Sequence, residues 1–157
     1  MNVAEALKLI NIKHLDKLYI GGAWVSPSSD GKIDVVSPVT EEVIFSVAEA
    51  READMDRAVA AAREAFDKGP WPKLTHAERA AWMLKLGAAL KARNEELGHI
   101  WTNQIGALHS ITRNAGNASA TSFERYAALA DTFEWEEPHT PGDGHGRAMI
   151  VREPVGV

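Results

Sequence analysis

Cysteine is absent from all 157 residues. That one absence removes disulfides, thiolate metal ligands and a thiol nucleophile from the chemistry open to this chain. Basic residues are too few for a nucleic-acid footprint: 17 Lys and Arg stand against 22 Asp and Glu, a formal charge of −5, so no DNA or RNA partner is expected. Long hydrophobic runs are also missing. No stretch approaches the roughly 20 apolar residues of a membrane span. Glu5, Lys8, Lys13, Asp16 and Lys17 interrupt the apolar residues of the N-terminal segment, and no small-residue cleavage site follows an apolar run. The expectation is a cytoplasmic chain with no membrane partner. Two motif classes are lacking as well. Gly142-Asp143-Gly144-His145-Gly146 has neither phosphate-loop spacing nor a strand before it and a helix behind, and reads as a turn. No G-x-S-x-G elbow supports a hydrolase triad.

What is present suits one domain with a hydrophobic core, since 45% of residues are apolar and 25% charged. The dominant pattern is a helix from Thr75 to about Ile105. Thr75-His76-Ala77-Glu78 has capping-box spacing, and Met83, Leu86, Leu90, Leu97, Trp101 and Ile105 fall on one face at helical period. Unbroken, such a helix would be roughly 45 Å long, a spine for other elements, and Leu90 in mid-stripe is expected to be fully buried.

Before the spine, residues 1–17 have a weak helical period and read as a loosely docked arm. Residues 18–50 read as a small antiparallel ribbon: Leu18-Tyr19-Ile20 and Ala23-Trp24-Val25 flank Gly21-Gly22, a two-residue hairpin signal. Lys32 to Val36 and Val43 to Val47 alternate as strands do, with Ser37-Pro38 stopping the first. Composition then shifts to Ala, Glu and Arg. Met55, Val59, Ala62 and Phe66 mark a helix from about Ala53 to Lys68, ended by Gly69-Pro70. A third helix runs from Leu108 to Phe133, and its middle, Ala115 to Ala120, is almost free of side chains. It either packs very close to a neighbour or leaves room beside it. Residues 51–134 thus form a helical layer. Residues 135–157 are an acidic, Pro- and Gly-rich link and a strand, Arg147 to Arg152.

Few residues invite a chemical role. His139 and His145 share a Gly-rich link without a third ligand, too little for zinc. Glu49, Glu52, Asp54 and Asp56 read as a solvated first helical turn. Arg79 lies on the apolar stripe, where a buried ion pair or backbone cap is favoured over an anion site. Trp71 and Trp101 read as core or interface anchors. No catalytic, cofactor-binding or metal-binding residue is assigned.

Several stretches together resemble the N-terminal part of the aldehyde dehydrogenase superfamily. They are Tyr19-Ile20-Gly21-Gly22-Ala23-Trp24-Val25, Ser37 to Ile44, Asp54 to Phe66, Gly69-Pro70-Trp71, Glu78-Arg79, Arg125 to Asp131, and Arg152-Glu153-Pro154-Val155-Gly156-Val157. The resemblance implies an α/β fold, here the helix-rich N-terminal part with a small N-terminal β-ribbon, three helices and a C-terminal strand. Residues 1–157 would be a single partial domain. In that family a thiolate attacks the aldehyde, hydride passes to NAD or NADP, and the thioester is hydrolysed. The family's oxyanion Asn, dinucleotide-binding region, general-base Glu and nucleophilic Cys all follow the position at which this sequence stops, so none can be carried over. Gln104-Ile105-Gly106-Ala107 departs from the family's acidic residue and Gly-Lys pair. By resemblance Asn117 to Ser122 border the substrate entrance, and the final strand belongs to the part through which subunits associate.

Two expectations follow. The chain is a truncated aldehyde dehydrogenase segment, inactive alone and binding no cofactor, whose partner is the remainder of that polypeptide. Alternatively, it is a stand-alone helical interaction or oligomerisation module derived from that scaffold. Self-association through an unpaired final strand is expected in both.

Overall fold

Gly21 and Gly22 adopt φ of 61° and 83°, the left-handed pair that a primed two-residue turn requires and that glycine adopts without Cβ strain. They join β1 (Leu18–Ile20) to β2 (Ala23–Val25) in the expected hairpin. The computed structural model describes residues 12–156, so most of the helical period read in residues 1–17 lies outside the described residues; residues 12–17 hold a turn and no helix. The next two strands, β3 (Lys32–Val36) and β4 (Val43–Ala48), pair antiparallel with a register shift at Val35/Val36. Ser37 ends β3 because its buried hydroxyl accepts from the N–H groups of Val39 and Thr40 and closes a tight turn. The N-terminal strands form two separate two-stranded sheets rather than one ribbon.

Five α-helical segments follow among the described residues. They are α1 (Glu52–Lys68), α2 (His76–Ala92), α3 (Asn94–Ile105), α4 (His109–Thr112) and α5 (Ala115–Ala127), with 3-10 turns at Trp71–Lys73 and Ala128–Ala130. The Thr75–Glu78 capping box forms as read: Thr75 Oγ1 accepts from Glu78 N–H at 3.2 Å, and Glu78 accepts from Thr75 N–H at 2.8 Å. These bonds, the Thr75 N–H first, hold the Glu78 carboxyl below its usual range.

The spine is not one helix. It breaks at Arg93, which leaves helical geometry at φ −105°, ψ 21°. No proline or glycine sits there. The bend frees Asn94, whose Nδ2 donates to Arg113 O at 2.9 Å and whose Oδ1 accepts from Asn117 N–H at 3.0 Å. One side chain therefore ties α3 to the start of α5, and the helix yields to that tertiary bond.

The layer is built by α2 against α5, with α3 and α4 closing one end. The side-chain-poor middle of the third helix packs close rather than leaving room. A Cβ on Gly116 would stand 2.5 Å from Leu90 O, and one on Gly87 would stand 3.5 Å from Ala120 Cα. Ala120 and Ala127 are the buried apolar residues of this contact. Backbones this close leave larger side chains on the flanks, which corrects two expectations. Leu90 is half-buried rather than fully buried. Of the six-residue stripe, Leu86, Trp101 and Ile105 are exposed. The first helix, α1, packs mainly on β1 and the first 3-10 turn, and Met55 and Val59 on it are exposed.

The link after the helices holds a strand missed in the sequence. β5 (Glu136–His139) pairs antiparallel with β6 (Ala148–Val151), placing Pro138 opposite Met149. The expected final strand therefore has a partner on one edge. Trp135 stacks on His76 at 4.0 Å and 8°, fastening the hairpin to the first turn of α2.

Candidate functional site

Asp54 shows how far local charge can mislead. It was expected among the solvated acids of a first turn, yet it is 1% exposed. Its carboxylate accepts from Arg51 N–H at 2.9 Å, Ser28 N–H at 2.9 Å, Ser28 Oγ at 2.7 Å and Arg57 at 2.5 Å. The Arg51 N–H first, opposed by desolvation and aided by Ser28 and Arg57, holds the carboxyl far below its usual range. The cluster caps α1 and fastens the turn at Ser28 to it. Glu52 and Asp56 stay exposed, and Glu49 pairs with Arg51. Such a carboxylate has no free lone pair aimed at a substrate.

Arg79 acts as the backbone cap expected of it, donating to Leu74 O at 2.5 Å and facing His76 Nδ1 at 2.9 Å. A guanidinium next to Nδ1 requires that nitrogen to be the acceptor, which fixes the tautomer. A second polar joint binds α3 to α4. Thr102 Oγ1 bonds Gly98 O, His109 Nδ1 and Thr112 Oγ1, and the rings of His99 and His109 stack at 4.6 Å. His99 and Thr112 are buried in this joint.

His139 and His145 are exposed. Among the described residues no group of three or more His, Cys, Asp or Glu comes together as metal ligands would. Gly142 to Gly146 lie in the β5–β6 loop, closed by a Gly144 N–H bond to Pro141 O at 2.9 Å. On α5, Thr121 and Ser122 are exposed and spend their hydroxyls on backbone carbonyls of their own helix. Trp71 and Trp101 are exposed, as an interface anchor would be and a core residue would not.

Uncovered apolar surface is therefore the chain's main feature. Met55 and Val59 on α1, Trp82 and Leu86 on α2, and Met149 and Val151 on β6 are all exposed. A groove of about 380 Å3 lies between Phe66, Trp71, Pro72, Arg79, Pro154 and Gly156. A second, of about 290 Å3, lies between Val35, Ile44, Phe45, Ile100 and Asn103. The accessible surface is 11500 Å2, where a compact monomer of this mass exposes about 7,700 Å2. Hydrogen-bonded joints hold the elements in place, and their outer faces are exposed.

These features define the class: an α/β scaffold segment, internally fixed but short of a closed core. The aldehyde dehydrogenase family profile matches residues 24–157, and the chain belongs to that family. Aldehyde dehydrogenase 1 of Tanacetum cinerariifolium is 36% identical over 142 residues, covering 90% of this chain and 28% of that protein. Betaine aldehyde dehydrogenase of Bacillus subtilis is 33% identical over 140 residues, again covering 28% of the relative. A solved betaine aldehyde dehydrogenase from Staphylococcus aureus, in complex with NAD+, superposes with a TM-score of 0.84 at 28% identity over 97% of this chain and 30% of that one. The chain thus spans under a third of the length of these relatives. Among the described residues no helix is long and apolar enough to cross a membrane.

Proposed function

We propose that this chain is the N-terminal scaffold of an aldehyde dehydrogenase-like oxidoreductase that converts an aldehyde to a carboxylic acid with NAD(P)+, acting in the cytoplasm. Residues 1–157 form a single partial domain. The chain holds α2, α5 and the two flanking hairpins in register, and supplies no catalytic or cofactor-binding side chain. Alone it is inactive and binds no dinucleotide. One observation supports this above the rest: a family match over nearly the whole chain coincides with a sequence that has no Cys, and acyl transfer by thiolate needs one.

The test is a chimera in which this chain replaces the aligned segment of the Bacillus subtilis betaine aldehyde dehydrogenase. NAD(P)H formation from an aldehyde by the chimera supports the reading. A folded chimera without activity contradicts it.

A second reading, the stand-alone association module, draws support from β6. Met149, Ile150 and Val151 are exposed on a strand with one free edge, and such an edge recruits another chain. A constant monomer mass by light scattering across a hundredfold concentration range would remove that support.

A further inference from the structure

An aspartate followed by glycine can react with its own backbone, because glycine has no side chain to keep its amide nitrogen from the neighbouring carboxyl carbon. The sequence has two such pairs, Asp30-Gly31 and Asp143-Gly144, and their shared dipeptide does not rank them. The fold does. Gly31 leads straight into β3: its carbonyl accepts from Glu49 N–H at 2.9 Å, Lys32 beside it pairs with Ala48, and a Cβ on it would collide with the Glu49 carboxylate. Gly144 lies in the exposed β5–β6 loop at φ 72°, and a Cβ there would meet nothing within 4 Å. Asp143 Oδ1 accepts from His145 N–H at 3.0 Å. That bond folds the carboxyl back over the Asp143–Gly144 peptide, the side from which Gly144 N reaches its carbon.

We propose that Asp143 is a site of spontaneous backbone isomerisation, converting to isoaspartate in the folded chain while Asp30 is protected. Gly144 N attacks Asp143 Cγ, and the carboxyl OH leaves with the amide proton as water, closing a succinimide ring. A second water then adds to the ring carbonyl that was the Asp143 main-chain carbon and breaks its bond to Gly144 N. The chain now runs through Cγ, with one water lost and one regained. Attack on the other ring carbonyl restores aspartate. The product lengthens the loop by one backbone atom. Arg152 pins the base of the hairpin, donating to Glu134 O at 2.9 Å and pairing with Glu137, so the extra atom falls in the loop and the β5–β6 register is kept.

The experiment ages the purified chain at neutral pH, native and in urea, then digests it with an endoproteinase that cuts before aspartate and not before isoaspartate. Peptide isomers of equal mass are separated by chromatography and identified by mass spectrometry. In the native chain Asp143 is expected to convert at least fivefold faster than Asp30, and urea should remove most of that difference by releasing Gly31. Asp143→Glu, whose longer side chain closes a less favourable ring, should lose the isomer at this position with circular dichroism unchanged. The proposal is overturned by no conversion at Asp143, or by conversion at Asp30 that is equal or faster in the native chain. A ratio in urea as large as the native one overturns it too, as does an isomer at this position that survives Asp143→Glu.

Discussion

Asp54 and Arg79 carry opposite charges and do the same work, each closing off backbone groups that a turn leaves unpaired. Asp54 makes stability depend on pH, and the sign follows from its depressed carboxyl. A carboxylate held below its unfolded value near 3.9 adds stability that is fully present above that value and is lost as pH falls toward the folded one. Unfolding midpoints measured from pH 6 down to pH 2 should therefore fall steeply below about pH 4, and Asp54→Asn should flatten that acid limb. A variant with the wild-type slope would show that the cluster does not organise the α1 N-terminus. Arg79 was readable in part: a cation on an apolar stripe calls for either an ion pair or a backbone cap, and the structure shows the cap, at Leu74 O. Asp54 was not, because its partner at Ser28 is 26 positions away and local charge cannot reveal a distant turn folding back. Removing the Thr75 hydroxyl tests a cap that was readable: Thr75→Ala should cost about 1 kcal/mol in urea unfolding.

Between helices, close backbone approach replaces side-chain bulk. Gly116→Ala would press a methyl into Leu90 O and Asn94 Cα, both backbone atoms, and should destabilise by about 1–3 kcal/mol. Gly142→Ala, with nothing within 4 Å, should stay within about 0.5 kcal/mol of wild type. Equal effects at the two sites would contradict the α2–α5 packing. Leu90→Ala should cost about 1–2 kcal/mol, below the range of a fully buried leucine, because Leu90 is only half-buried. The elements themselves were largely readable, since the Gly21-Gly22 hairpin, the capping box and α1 all follow local rules. The break at Arg93 and strand β5 were not. Asn94 bends the spine to reach Arg113 and Asn117, a tertiary demand, and Glu136 to His139 look like a linker because Pro138 is tolerated only where a strand has a free edge.

For the whole molecule, the sequence predicted a buried stripe where the fold shows an open one. Helical period records which face will be covered, not by what. Met55, Val59, Leu86 and Ile105 have the spacing of core residues and are exposed here, as expected of a segment spanning under a third of its relatives. For the candidate site the sequence offers an expectation of lack, resting on the absence of Cys from the 157 residues, and the proposed inactivity of the chain is built on it. That lack is the central claim, and it is tested most directly by incubating the purified 157-residue chain with an aldehyde and NAD+ or NADP+ and following absorbance of the reduced cofactor. A rate equal to that of a heat-killed sample is predicted. Reduced cofactor forming above that control would contradict it, because this chain would then be performing chemistry for which it holds no thiolate.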